Sequence, residues 1–66
     1  MSVAKVIEIS ATSSESFEDA VKQGVAKAGE SVRNIRSVWV KEQIAHVEGG
    51  SVTEFQVNLK VTFVLE

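Results

Sequence analysis

The sequence predicts an α+β fold: a β-α-β-β unit with a three-stranded antiparallel sheet in the order 1-3-2 and one helix covering a single face. Three observations carry this expectation. Val52 to Leu65 alternates apolar and polar residues without a break. Phe17 to Ala28 repeats apolar residues at helical spacing. Glu48-Gly49-Gly50-Ser51 is a hairpin turn between two β-rich stretches.

The first strand is expected over Val3 to Ala11, with Val3, Lys5, Ile7, Ile9 and Ala11 on one face and Ala4, Val6, Glu8 and Ser10 on the other. Its β-branched content agrees. Thr12, Ser13 and Ser14 break the pattern and offer three equivalent hydroxyl caps for a helix start. Glu15, Glu18 and Asp19 then fall in the first turns, where the helix dipole favours negative charge. Phe17, Ala20, Val21, Gly24 and Ala28 form the core-facing stripe. A glycine inside a helix costs about 1 kcal/mol relative to alanine, so Gly24 marks either close packing of helix on sheet or the approach of a neighbouring subunit. Gly29 is the expected stop.

After a turn at Ser31 to Asn34, the second strand is expected over Ile35 to Val47 and the third over Val52 to Leu65. In the third, Phe55, Val57, Leu59, Val61, Phe63 and Leu65 form an apolar face, and Glu54, Gln56, Asn58, Lys60 and Thr62 the polar one. The hairpin makes the second and third strands antiparallel. A right-handed crossover through the helix leaves the first and second parallel, so the third strand fits between them.

Residues 1–66 are expected to form a single domain. A chain this short buries only roughly 60% of the surface its unfolded form exposes, which leaves it marginally stable. With no Cys for disulfides and one His for metal, association is the remaining means of stabilisation, and a homo-oligomer is expected. A net charge of −2 disfavours nucleic acid and anionic membranes as partners. No apolar run approaches the roughly 20 residues that span a bilayer, so a soluble, cytoplasmic protein is the default.

The sheet face away from the helix is the informative surface. Val38 and Val40 share the parity of the core, so Ser37, Trp39 and Lys41 point toward the face that carries Gln56, Asn58 and Lys60. The single Trp39 is thereby displayed outward, either to fill a subunit interface or to stack a planar ligand whose edge nearby amides such as Gln56 would read. Glu42 breaks the pattern, since strict alternation would turn its carboxylate into the core. A β-bulge or bend near Lys41 to Gln43 is expected instead, which leaves the facing of Ile44, His46 and Val47 open. His46, with Glu48 and Glu54 in reach, is the one acid-base candidate. An enzyme is not expected, because the serines sit at caps and turns and no helix follows Gly49-Gly50 to make a phosphate loop.

Lys5-Val6-Ile7-Glu8-Ile9, the helix opening Thr12-Ser13-Ser14-Glu15-Ser16-Phe17, the stretch Asn34 to Gln43, and above all Glu54 to Leu65 resemble the dodecins in order, spacing and total length. The resemblance covers essentially the whole chain. It implies a subunit whose sheet wraps its helix, twelve of which form a hollow shell that holds flavins (FMN, riboflavin or lumichrome) between subunits, for storage and quenching; some bacterial members also bind coenzyme A. Gln56, preceded by the aromatic Phe55, matches the family's flavin-contacting glutamine, and Glu42 falls where an acidic residue often lies near the site. In typical flavin-binding members the stacking tryptophan falls at the position of Ser37, two residues before Trp39. Residues two apart share a face, so Trp39 projects from the same surface roughly 7 Å further along. The candidate ligand-binding residues are therefore Trp39, Gln56, Ser37, Glu42 and His46. The alternative is a shell of the same fold in which Trp39 anchors assembly and no flavin binds.

Overall fold

In the computed structural model, which describes residues 2–65, the chain runs β1 (Val3–Ser13), α1 (Phe17–Ala28), β2 (Ile35–Glu48) and β3 (Ser51–Leu65). Met1 and Glu66, the ends of the expected domain, lie outside the described residues. The strands form one antiparallel sheet in the order β1-β3-β2. The central place of β3 follows from its pattern, since a strand with an unbroken apolar face must be flanked and covered. Val57, Leu59 and Val61 are fully buried under the helix, with Ala20 against them. Each such side chain contributes about 1.5–3 kcal/mol by its burial. Ile7, Ile9 and Ala11 of β1 and Val38 and Val40 of β2 complete this layer from either side. Phe17 closes one end, edge-on to Phe55 with ring centroids 5.0 Å apart.

Gly24 is explained by the sheet. A Cβ there would stand 3.0 Å from Leu59 Cδ1 and 3.1 Å from Ala11 Cβ, so its absence lets α1 lie close on β1 and β3. Of the two readings of Gly24, close helix-to-sheet packing is the one seen.

The helix start differs from expectation. Its N-cap is Ser16, whose hydroxyl accepts from the Asp19 amide at 2.9 Å, and not Thr12, Ser13 or Ser14. Thr12 and Ser13 are taken by the ladder, paired with Gln56 and Phe55, so β1 runs two residues past Ala11. Ser13 is buried, and its hydroxyl accepts from the Glu15 amide and donates to Asp19 Oδ2 at 2.6 Å. Glu15 consequently precedes the helix. At the other end the amide of Gly29 reaches Val25 O, and two further i to i+3 bonds carry the turn through Ser31. Asn34 enters β2 with φ 63°, a left-handed conformation that asparagine tolerates better than most residues.

The hairpin closes with Glu48 opposite Ser51 and a two-residue turn. Both turn residues have positive φ, 57° at Gly49 and 81° at Gly50, as a type I′ turn requires. The β2-β3 ribbon continues past the end of β1 at Ser13, which gives the protomer a long axis of 51 Å. No helix among the described residues is long and apolar enough to cross a membrane.

Candidate functional site

The face of the sheet away from α1 is built in rungs across the three strands. Val6, Thr62 and Ser37 form one; Glu8, Lys60 and Trp39 the next; then Ser10, Asn58 and Glu42; then Thr12, Gln56 and Ile44; and finally Glu54 with His46 on the projecting ribbon. The rungs are continuous only because of one irregularity. Val40 is opposite Leu59 and Glu42 opposite Asn58, so Lys41 is an extra residue in β2. This is the expected bulge, and it brings Glu42, Ile44 and His46 onto the open face. Two further register shifts, at Arg36 and near Val47, were not foreseen.

A hydrogen-bonded chain crosses this face. Glu42 Oε1 accepts from Asn58 Nδ2 at 2.8 Å. Asn58 Oδ1 accepts from Gln56 Nε2 at 3.1 Å, and the same nitrogen donates to Ser10 Oγ at 3.1 Å. Gln56 Oε1 meets His46 Nε2 at 2.7 Å. Three of the five candidate residues, Glu42, Gln56 and His46, are thus joined, with Asn58 and Ser10 as the connecting groups. Both hydrogens of the Gln56 amide nitrogen are engaged, which leaves this side chain one free lone pair on its oxygen. His46 meets Gln56, and among the described residues it makes no ion pair with Glu48 or Glu54.

Trp39 stands apart from this chain. It is 62% exposed, and Lys60 Nζ lies 5.1 Å from its ring centroid in a cation-π contact. Lys41 crosses from the bulge to Glu8 Oε2 at 3.2 Å, placing a charged pair beside the same rung. Trp39 and Gln56 share the open face, as expected, but Gln56 is not close to Trp39 along the strand. The cross-strand partner of Trp39 is four residues along β3 from Gln56, a separation of roughly 14 Å. The side chains of Trp39 and Gln56 are thus separated by the intervening Asn58–Glu42 rung. Ser37, opposite Thr62, is one rung further away again.

Sequence reasoning placed Asn58 and Lys60 on this face but missed their roles. The signal was present in the polar parity of β3. The missing information was the cross-strand register, which decides what β2 sets against each of them. A concavity of about 670 Å3 lies on the other side, between α1 and the β1 edge around Ile9, Gly24 and Ala28. It touches neither Trp39 nor Gln56. Among the described residues no three His, Asp or Glu side chains are placed to hold a metal ion.

A family model described as Dodecin matches residues 3–66. The calcium dodecin of Mycobacterium tuberculosis is 40% identical over 63 residues, covering 96% of this chain and 89% of that protein. Its crystal structure, described as having a novel calcium-binding site, superimposes with a TM-score of 0.84 at 36% identity, covering 97% of this chain and 91% of that one. A single-substitution variant of the Thermus thermophilus dodecin superimposes with a TM-score of 0.93 at 35% identity, covering 100% of this chain and 98% of that one.

Proposed function

The chain belongs to the dodecin family, and from that premise we propose that it is a flavin-binding protein, not an enzyme. It stores or sequesters FMN, riboflavin or lumichrome at intersubunit sites of a hollow, cytoplasmic homododecamer, with residues 1–66 acting as one domain. The observation that carries this reading is the open sheet face itself, where an exposed indole beside a cation shares a surface with a row of hydrogen-bonded amides. The residues fit a planar, polar-edged ring. Trp39 offers a π surface, Lys60 a positive charge for a ring carbonyl or a phosphate, and Gln56 a fixed acceptor. Trp39 and Gln56 of one copy are roughly 14 Å apart along the sheet, and the intersubunit site proposed here draws them from different copies. Exposed Val6 and Ile44 on this face, and Val47 and Val52 on the ribbon, supply apolar surface for the association that such sites need. When bound there, a flavin would bring its own light absorption and redox chemistry, and the protein would contribute stacking, shielding and hydrogen bonding.

The absorbance of the purified protein, with native mass measurement, tests the reading. A yellow species of twelve subunits that takes up riboflavin supports it. A colourless shell that takes up none returns Trp39 to the role of assembly anchor.

A second reading is favoured by the 40% identical relative named calcium dodecin. The described residues of one protomer make no three-carboxylate cluster, so a calcium site with its 6–8 oxygen ligands would draw on several copies, Glu42 and Glu54 among them. Calorimetric titration with calcium, repeated on Glu42→Gln, distinguishes the two.

A further inference from the structure

We infer that Glu42 is a positioning residue which, acting through Asn58, fixes the orientation of the Gln56 amide and the tautomer of His46. Hydrogen-bond polarity carries the argument. An ionised carboxylate accepts and cannot donate. Glu42 therefore requires Asn58 to turn its nitrogen outward, as seen at 2.8 Å. The carbonyl of Asn58 is then left facing Gln56, and only the Gln56 nitrogen can meet it, again as seen at 3.1 Å. Ser10 takes the second hydrogen of that nitrogen. What remains toward His46 is the Gln56 oxygen, an acceptor, and at 2.7 Å the facing Nε2 must carry the hydrogen. Neutral His46 is thereby held with its proton on Nε2 and a free lone pair on Nδ1. The polarity set at Glu42 thus travels across β2 and β3 through three bonds and fixes the donors and acceptors at Gln56 and His46.

The consequence for binding rests on the proposed ligand site at Gln56. With its nitrogen engaged, Gln56 presents an acceptor to whatever docks there, and the neutral imidazole adds a second. A ligand edge bearing an N–H is favoured over the same edge with that nitrogen alkylated. Without the relay, the amide would be free to rotate and this preference would be lost.

Nitrogen-15 NMR of the imidazole, at a pH where His46 is neutral, reads the tautomer directly in the assembled protein. The parent is expected to show the Nε2–H form alone. Glu42→Gln, which both donates and accepts, should give a mixture. Glu42→Lys, which only donates, should reverse the chain and shift His46 to the Nδ1–H form. In an Asn58→Leu background, Glu42→Lys should have no such effect, which separates a relayed effect from a general disturbance of the fold. A His46 tautomer indifferent to Glu42→Lys in a folded, assembled protein overturns the inference. So does a shift that persists without Asn58. Riboflavin and its N3-methyl analogue supply the binding arm. The parent should prefer riboflavin by about 10-fold or more, and Glu42→Lys should lose the preference. Failure of both compounds to bind the parent removes the flavin reading and leaves the relay to stand or fall on the imidazole signal. Tight binding of both by the parent without preference overturns the acceptor assignment at Gln56.

Discussion

Val40 and Glu42 face consecutive residues of β3, Leu59 and Asn58, although Lys41 stands between them in the sequence. The surplus residue lets Val40 fill the core while Glu42 stays at the open surface, which a regular strand would forbid. It also joins Lys41 to Glu8 on the far edge strand. A local departure from strand geometry thus decides which chemical groups share the open face.

Deletion of Lys41 should therefore leave the face assignments intact. Val40 and Glu42 would become ordinary neighbours on opposite faces, and the exposed ion pair with Glu8 is worth no more than about 1 kcal/mol. The local bend and added twist of the bulge would be lost. The expected outcome is a folded sheet, with stability within about 1 kcal/mol of the parent, whose assembled mass or compactness changes. Amide exchange together with sedimentation checks both halves. Loss of the β2-β3 ladder itself would show that the bulge holds the register and does not merely bend the strand.

Gly24→Ala is expected to destabilise. Alanine gains about 1 kcal/mol in helix propensity, but its methyl would press on Leu59 Cδ1 and Ala11 Cβ. The Leu59 terminus can rotate away. The Ala11 methyl is fixed to the strand and moves only with the backbone. Overpacking of this kind costs about 1–3 kcal/mol, leaving a net loss of about 1 kcal/mol, visible as a lowered Tm. A raised Tm would mean that helix and sheet can separate without cost.

Asp19 makes acid stability testable. Its carboxylate is held below the usual value of 3.8 first by the hydrogen bond from Ser13, then by that from Gln23, with the charge of Lys22 adding to them against a smaller opposing effect of desolvation. A depressed carboxylate stabilises the fold above its unfolded pKa, and that contribution disappears as pH falls through the folded value. Parent stability should thus decline below pH 3.8, and Ser13→Ala should lessen the part of the decline due to Asp19. Urea unfolding at a series of acidic pH values measures it. A Ser13→Ala profile parallel to the parent's would show that the hydroxyl does not tune this group.

Much of the fold was legible because the strongest patterns belong to the residues that carry the most burial. The alternation from Phe55 to Phe63 located the central strand, and Gly49-Gly50 located the turn, each through a periodicity or a φ requirement that only a few residues meet. The helix cap was less legible. Thr12, Ser13, Ser14 and Ser16 have similar chemistry, and the choice among them is made by how far β1 pairs with β3, a tertiary matter. At the site, the parity of Trp39 and Gln56 was correct, but parity says nothing about distance along a strand. Both were placed on one face and taken as close together, when their rungs lie four residues apart along β3. The partners of His46 were hidden for a different reason, because they depend on the bulge at Lys41.

The indole of Trp39 provides the last prediction. It is the only tryptophan in the chain, so all tryptophan emission reports on this position. If a flavin stacks there, riboflavin should quench both its own emission and that of Trp39, since an indole in contact can donate an electron to the excited ring. Trp39→Ala should weaken binding by about 0.5–1.5 kcal/mol beyond the lost contact area, and Trp39→Phe by less. Lys60 separates stacking from anchoring. It occupies a position over the indole, and an exposed cation-π contact is worth about 0.5–1 kcal/mol. Lys60→Met should therefore change riboflavin affinity by a comparable amount, and by more for FMN if the cation meets its phosphate. In the ligand-holding role, Trp39→Ala leaves the shell assembled and reduces binding. In the anchoring role, it lowers the assembled mass at a given concentration. Unchanged emission at saturating riboflavin, with assembly intact, would remove Trp39 from the site and leave Gln56 and His46 to hold any ligand without a stacking partner from β2.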